Sequence, residues 1–404
     1  MIATAPLSEL AVDGGLVGGP FGSSLVSRDY QSVGIPVIRG SNLSEGKYLS
    51  GDYVYVSSDK FQRDLERNDA LPGDLIFTQR GTLGQISIVP YGRHVRLVVS
   101  QSQMRLRVDL AKALPEYVYY ACCSRNFRQQ IMDSAITTGV PHINLGILSR
   151  LTIPLPGAHL QRAIAEVLGA LDDKIAANAR ASRIAGELAR TFFASAQRGA
   201  NIYERPFKEI VAVGGGGTPR TGEPNFWNGP VPWATPTDIT ALSGPYLEKT
   251  ERMITEAGLS ACSSPLYPAG SILMTSRATI GAFAIAGQPT AVNQGFIVVN
   301  PLEDMIRWWI FHDMASRVDE FVSHANGATF MELSRGRFKE LPARLADTQT
   351  MRAFSERAAA LHNAARQGLR ESVVLTELRD TLLPQLMSGK LRVRDAEKQV
   401  EAAV

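Results

Sequence analysis

Apolar positions between about Leu160 and Ala194 follow a heptad. Ile164, Leu171, Asn178, Ala185 and Phe192 stand every seventh residue, and Leu168, Ile175, Ser182 and Ala189 follow four residues behind. The stretch contains no proline, so one long helix with an a/d seam is predicted. Between about Met351 and Leu383 the same stripe returns as Phe354, Leu361, Gly368, Leu375 and Leu382, trailed by Ala358, Ala365 and Ser372. At an offset of 190 residues Asn178 matches Gly368 and Ser182 matches Ser372. Both helices are thus weak in the middle and apolar at the ends. An antiparallel pair brings the middles together, where small or polar residues allow close approach and fix register. The alternative is that each helix covers only its own domain.

The flanking regions, around 1–155 and 200–345, break short apolar runs with Gly, Pro, Asn and Asp. Val95–Val99 and Gly295–Val299 read as strands from their β-branched content. Leu114–Tyr120 and Met305–Phe311 each precede a stretch that reads as a helix. The regions also repeat one another. Pro72-Gly73-Asp74-Leu75-Ile76-Phe77-Thr78-Gln79-Arg80-Gly81-Thr82-Leu83-Gly84 aligns, with one inserted residue, with Pro268 to Gly281, and both end in Arg-x-Thr-x-Gly. Ile35-Pro36-Val37 pairs with Val231-Pro232-Trp233, and Val99-Ser100-Gln101 with Val292-Asn293-Gln294. The expected fold class is therefore α/β (α+β): two similar domains separated by two long helices packed as an antiparallel coiled coil, with a pseudo-two-fold internal repeat. The expected boundaries are 1–156, first domain; 157–197, central helix; 198–345, second domain; 346–390, C-terminal helix; 391–404, tail.

Composition narrows the function classes. A chain of 404 residues, 45% hydrophobic and 20% charged, suits two or three globular domains. No window offers about 20 uninterrupted apolar residues, so no membrane span is expected. Met1 to Pro6 lacks a basic region followed by an apolar core, so no secretory signal is expected. Three cysteines, Cys122, Cys123 and Cys262, favour a reducing cytoplasm over a disulfide framework. The net charge of +3 and pI of about 8.7 are only weakly basic. A protein that binds DNA by itself usually carries a stronger basic footprint. Any such binding is then local to a few loops or shared with a partner, and composition alone also fits a neutral enzyme.

Catalytic signals are weak. Gly214 to Gly217 lacks the following Gly-Lys-Ser/Thr and the Gly-x-Gly-x-x-Gly spacing of a phosphate loop, and reads as a turn of backbone-permissive residues. No Asn-Pro-Pro-Tyr or Asp-Pro-Pro-Tyr is present. None of the six histidines stands at metal-ligand spacing. Asp172-Asp173 reads as a solvated face or a partner contact. Ser23 and Ser24 lack a nucleophile elbow. No catalytic group, metal or cofactor is expected in this chain.

The combination of motifs resembles the specificity subunit of type I restriction–modification enzymes. It rests on Gly-Pro-Phe-Gly-Ser-Ser-Leu (19–25), Gly-Ile-Pro-Val-Ile-Arg-Gly-Ser-Asn (34–42), Pro-Gly-Asp-Leu-Ile-Phe-Thr (72–78) and Thr-Gly-Val-Pro-His-Ile-Asn (138–144). Gln161-Arg162-Ala163-Ile164-Ala165 opens the first helix. The second half adds Gly216-Gly217-Thr218-Pro219, Val231-Pro232-Trp233, Asn293-Gln294-Gly295 and Leu382 to Gly389. Departures are Thr348-Gln349-Thr350 where a second Gln161 would stand, and Gly368 against Asn178. The resemblance implies that each domain recognises half of an interrupted double-stranded DNA target and that the helices act as a ruler. It implies docking of two modification (methyltransferase) subunits, which carry the S-adenosylmethionine chemistry. It further implies that restriction (translocase) subunits, with ATP and magnesium, join for cleavage. Helices of roughly 35 residues extend about 50 Å, against about 34–36 Å for one DNA turn. The alternative function is a duplicated scaffold or adaptor with a non-DNA ligand.

Phosphate contacts position a protein on DNA and base-edge contacts specify the sequence. Arginine suits guanine, and asparagine or glutamine suits adenine. The DNA-binding candidates are accordingly polar loop residues. In the first half they are Ser23, Ser24, Arg39, Asn42, Arg80, Thr82 and Gln101. In the second they are Thr218, Arg220, Thr237, Asp238, Arg277, Thr279, Asn293 and Gln294. Arg80 and Arg277, on the repeated turn, lead the list, and either bases or phosphates would suit them.

Overall fold

The computed structural model describes residues 2–43, 46–92, 94, 96–137, 139–327 and 331–403. Two compact units are present: Met1–Ala177 with Glu371–Val404, and Asn178–Arg370. Each unit takes part of both long helices, Ala158–Gly199 and Thr348–Met387. The first unit therefore joins two segments far apart in the chain.

In the first unit an antiparallel sheet runs in the order Ala11–Gly18, Gln103–Val108, Leu75–Thr78, Ile86–Ile88. All of Leu75–Thr78 is buried because both faces of the sheet are covered. Leu75 and Phe77 enter a core with Tyr117, Phe127 and Ile164. Ile76 enters another with Ile38, Leu97 and Val99, from a second sheet ordered Val54–Val56, Ile35–Ile38, Leu97–Val99, Asp69–Ala70. The strand expected from Val95 begins at Leu97. Val95, like Thr138 of the 138–144 motif, lies outside the described residues. Leu114–Tyr120 does not precede a helix but largely forms it. Pro115 opens Pro115–Cys123 at the first helical position, where its fixed φ is favourable and its missing N–H costs nothing.

The second unit repeats this plan. Its larger sheet is ordered Val211–Gly214, Phe296–Pro301, Ile272–Thr275, Phe283–Ala286, Tyr246–Leu247. Ile272 and Met274 enter a core with Trp309, and Leu273 enters another with Phe296 and Val298. A smaller sheet is ordered Arg252–Ile254, Trp227–Ala234, Ala291–Val292. Trp308 and Phe311 lie within the helix Arg307–Ala315, again inside the segment expected to precede it.

The long helices pair antiparallel in each unit. In the first, Ile164, Leu168 and Leu171 share a core with Leu375, Leu382 and Leu386, while Ile175 packs at its edge. Lys174 pairs with Glu371 at 3.3 Å and Asp172 with Arg379 at 2.7 Å, so positions fall along one helix as they rise along the other. In the second, Ser182 Oγ donates to the Ala365 carbonyl at 3.0 Å. A Cβ at Gly368 would stand 3.6 Å from Asn178 Cβ, the close approach that the small residues foretell.

Two expectations fail on this seam. Phe192 is 37% exposed, and Phe193 occupies the core beside Phe354, with Leu361 at its margin. A straight helix drifts roughly 20° per heptad from a 3.5-residue pattern. Over the four heptads from Ile164 that is close to one residue step. Asp172 is not a solvated face: it is 8% exposed and accepts from Tyr120 Oη at 2.7 Å as well as from Arg379. A buried carboxylate needs such partners. Among the described residues no helix is long and apolar enough to cross a membrane, and no group of three His, Cys, Asp or Glu side chains could hold a metal ion.

Candidate nucleic-acid interface

In the first unit four loops distant in sequence converge. The Gln79 N–H donates to the Ser102 carbonyl at 2.7 Å, and the Ile143 N–H donates to the Gln79 carbonyl at 3.0 Å. Gln101 Nε2 donates to the carbonyls of Gly22 (2.7 Å) and Leu25 (3.1 Å). Ser23, Arg80, Thr82 and Gln101 are exposed here, and Ser24 and Arg39 are half-buried. Asn42 departs from the expectation of a DNA-facing loop residue. It is 1% exposed, its Oδ1 accepts from the Arg39 N–H, and its Nδ2 donates to the carbonyls of Ser50 and Asp52. All of its polar reach serves the backbone.

The second unit brings together Thr237, Arg277, Thr279, Asn293 and Gln294 around a cavity of about 350 Å³. Thr218 Oγ1 donates to Gln294 Oε1 at 2.6 Å, so Thr218 joins the group, while Arg220 is exposed nearby in sequence. Asp238 is the second departure. One oxygen accepts from the Thr235 N–H (2.7 Å) and hydroxyl (2.6 Å), and the other from the Glu251 N–H (2.8 Å). It caps the short helix Pro236–Thr240 instead of facing a ligand.

The glycine-rich openings work by close approach. A Cβ at Gly19 would stand 2.0 Å from the Ser100 carbonyl oxygen, and one at Gly216 would stand 1.8 Å from that of Val292. None of Gly214 to Gly217 has positive φ, so missing bulk, not backbone freedom, is what that run supplies.

The repeated turn keeps its geometry in both units. Arg80 forms an isolated antiparallel bridge with His142, and Arg277 forms one with Glu332. The following residue is left-handed in each: Gly81 at φ 99° and Ala278 at φ 58°. A Cβ in that region is strained by roughly 1–2 kcal/mol. Ala278→Gly should therefore raise stability by about 1 kcal/mol, read as a shift in the denaturant midpoint. An unchanged or lower midpoint would show that the turn is not strained.

Sequence reasoning missed Glu332, Ser334, Arg335 and Lys339 here. A cleft of about 470 Å³ is lined by Arg277, Gln294, Glu332, Ser334, Arg335 and Lys339. The run Arg335-Gly336-Arg337-Phe338-Lys339 is a basic cluster that composition by window could have found. Glu332 carries no such signal, because only the fold sets it against Arg277, with Nε 2.9 Å from Oε1.

The family model described as type I restriction modification DNA specificity domain matches residues 24–183 and again 201–349. Over 139 residues the chain is 36% identical to the type I restriction enzyme MjaIX specificity subunit of Methanocaldococcus jannaschii, covering 34% of this chain and 32% of that subunit. Over 130 residues it is 31% identical to the EcoR124I/EcoR124II specificity subunit of Escherichia coli, covering 30% and 31% respectively. The chain thus spans about a third of the length of these two relatives. In fold it is similar to the crystal structure of the type I restriction-modification system S subunit from M. genitalium, with a TM-score of 0.63 at 17% identity over 96% of each chain.

Proposed function

Because the chain belongs to the type I restriction–modification DNA specificity family, we propose that it recognises an interrupted double-stranded DNA target, one half through the loop surface of each unit. The observation that carries this reading is the convergence, in both units, of polar loops around an Arg-x-Thr-x-Gly turn. The chain supplies recognition alone. Two modification subunits with S-adenosylmethionine methylate the bound target, and restriction subunits with ATP and magnesium cleave it. A net charge of only +3 fits this division, because partner subunits share the phosphate contacts.

Within each loop surface, side chains whose polar atoms are spent on the backbone brace the fold, and those with atoms to spare face the groove. Gln294→Ala should weaken binding to the cognate duplex by about 1–3 kcal/mol and relax one base position. Asn42→Ala should lower stability by about 1–3 kcal/mol with the base preference intact. The full chain co-expressed with its modification subunits, followed by methylation mapping of the host genome, tests the function itself. Methylation at a two-part sequence is expected. A chain that stays solitary and leaves genomic methylation unaltered would refute the reading.

A further inference from the structure

We propose that Glu332 is a specificity-determining positioning residue: it fixes Arg277 as a reader of a base edge, whereas Arg80, on the matching turn of the first unit, binds a backbone phosphate. The inference rests on the DNA reading above and adds an assignment of roles within it.

Both arginines sit on the same turn and bridge to the same downstream loop, but the residue across the bridge differs. Arg80 faces His142, whose Nδ1 lies 3.1 Å from the Val140 carbonyl oxygen. No carboxylate among the described residues pairs with Arg80. Arg277 faces Glu332, whose Oε1 lies 2.9 Å from Arg277 Nε in an ion pair. The two side chains are 44% and 41% exposed. An ion pair so exposed adds little to stability, so stability does not account for it.

Position and charge do account for it. The carboxylate beside Nε holds the guanidinium by charge, and the two terminal nitrogens donate to no group among the described residues. That fork matches O6 and N7 of guanine. The same carboxylate repels a phosphate brought to the same guanidinium, since like charges so close are costly. Arg335 and Lys339 line the same cleft, and neither has an ion-pair partner among the described residues. Phosphate therefore falls to them, and the base edge to Arg277. Preorganisation is also stronger on this turn, where Ala278 holds a left-handed conformation that Gly81 provides in the first unit.

The test uses the full-length chain co-expressed with its modification subunits, a randomised duplex DNA pool, and a salt titration of the selected duplex. Arg277→Ala and Glu332→Gln should each lower the preference for one base, at the same position, by about tenfold or more. Arg277→Ala should leave the slope of log affinity against log salt unchanged. Glu332→Gln should steepen it by about one, because the released guanidinium reaches a phosphate. Arg80→Ala and Arg335→Ala should flatten the slope by about one and keep every base preference. Glu332→His, which imports the residue of the first unit, should behave as Glu332→Gln does, and circular dichroism of each purified variant verifies that it is folded. A folded Glu332 variant with the original base preference overturns the assignment, as does an Arg277→Ala protein that weakens all duplexes equally with a flatter slope. If the unaltered complex selects no sequence, the DNA reading itself fails and this assignment falls with it.

Discussion

Phe193→Ala should cost about 3–5 kcal/mol of stability in the second unit, while Phe192→Ala should cost about 0.5 kcal/mol. The two residues are neighbours of one chemical type on one helix, so only their phase on the seam separates them. Phe193 is 3% exposed, with its ring edge-on to Trp309 at 5.0 Å and to Phe354 at 5.3 Å, and stacked on His312 at 5.7 Å. Removing it leaves a cavity among rings that cannot all close in, which adds to the lost transfer energy. All four tryptophans, Trp227, Trp233, Trp308 and Trp309, belong to Asn178–Arg370. Tryptophan fluorescence in a urea titration therefore follows this unit selectively. Equal losses for the two variants, or a larger one for Phe192→Ala, would mean that the helix keeps the strict heptad of the sequence.

That pair of residues also marks where sequence reasoning runs out. The doubled fold, the long helices and their small-residue middles were legible because periodicity and repetition are local patterns. Gly368 against Asn178 is the clearest case, since glycine in a helix interior is costly unless something packs closely on it. The phase at Phe193 was not legible, because a pattern of 3.5 and a helix of 3.6 part company slowly and only packing decides where the seam lands. The candidate interface divides in the same way. Arg80, Arg277, Thr279 and Gln294 lie on exposed loops as their types suggested. Asn42 and Asp238 have the right chemistry but spend it on nearby backbone, and Asp172 is claimed by Tyr120 and Arg379 from remote parts of the chain. Residue type announces what a side chain can bond, whereas which bonds it keeps depends on contacts across tens or hundreds of residues. Glu332 was invisible for that reason, being an ordinary exposed glutamate until the fold sets it against Arg277.

Acid should weaken the second unit through two histidines that bury together. His312 Nε2 stands 2.9 Å from His362 Nε2, and Tyr246 Oη stands 2.6 Å from His362 Nδ1. Trp308 stacks on His362 at 3.8 Å. At most one proton lies between the two Nε2 atoms, so charging both rings would set two cations in contact. Burial, reinforced by Arg190, pushes His312 down to about 4, and burial with its neighbour His312 pushes His362 down to about 3. Both are neutral in the folded unit at pH 7, while the unfolded chain takes up protons near pH 6.5. The unfolded state then binds more protons below that pH, so stability is fully present above about 6.5 and is lost as pH falls toward 4. At pH 5 the loss is on the order of 2 kcal/mol per imidazole. Asp313 works in the opposite sense over part of this range, since burial raises its carboxyl to about 6 and the folded state holds that proton longer. The histidine contribution is isolated by the double variant His312→Gln with His362→Gln, which retains Asp313 and removes both imidazoles. Fluorescence-monitored urea unfolding at pH 8 and pH 5 should show a several-kcal/mol loss in the unaltered chain. The double variant, weaker at pH 8, should lose little more or even gain. If both proteins lose the same stability between the two pH values, the imidazole pair is not what makes this unit sensitive to acid.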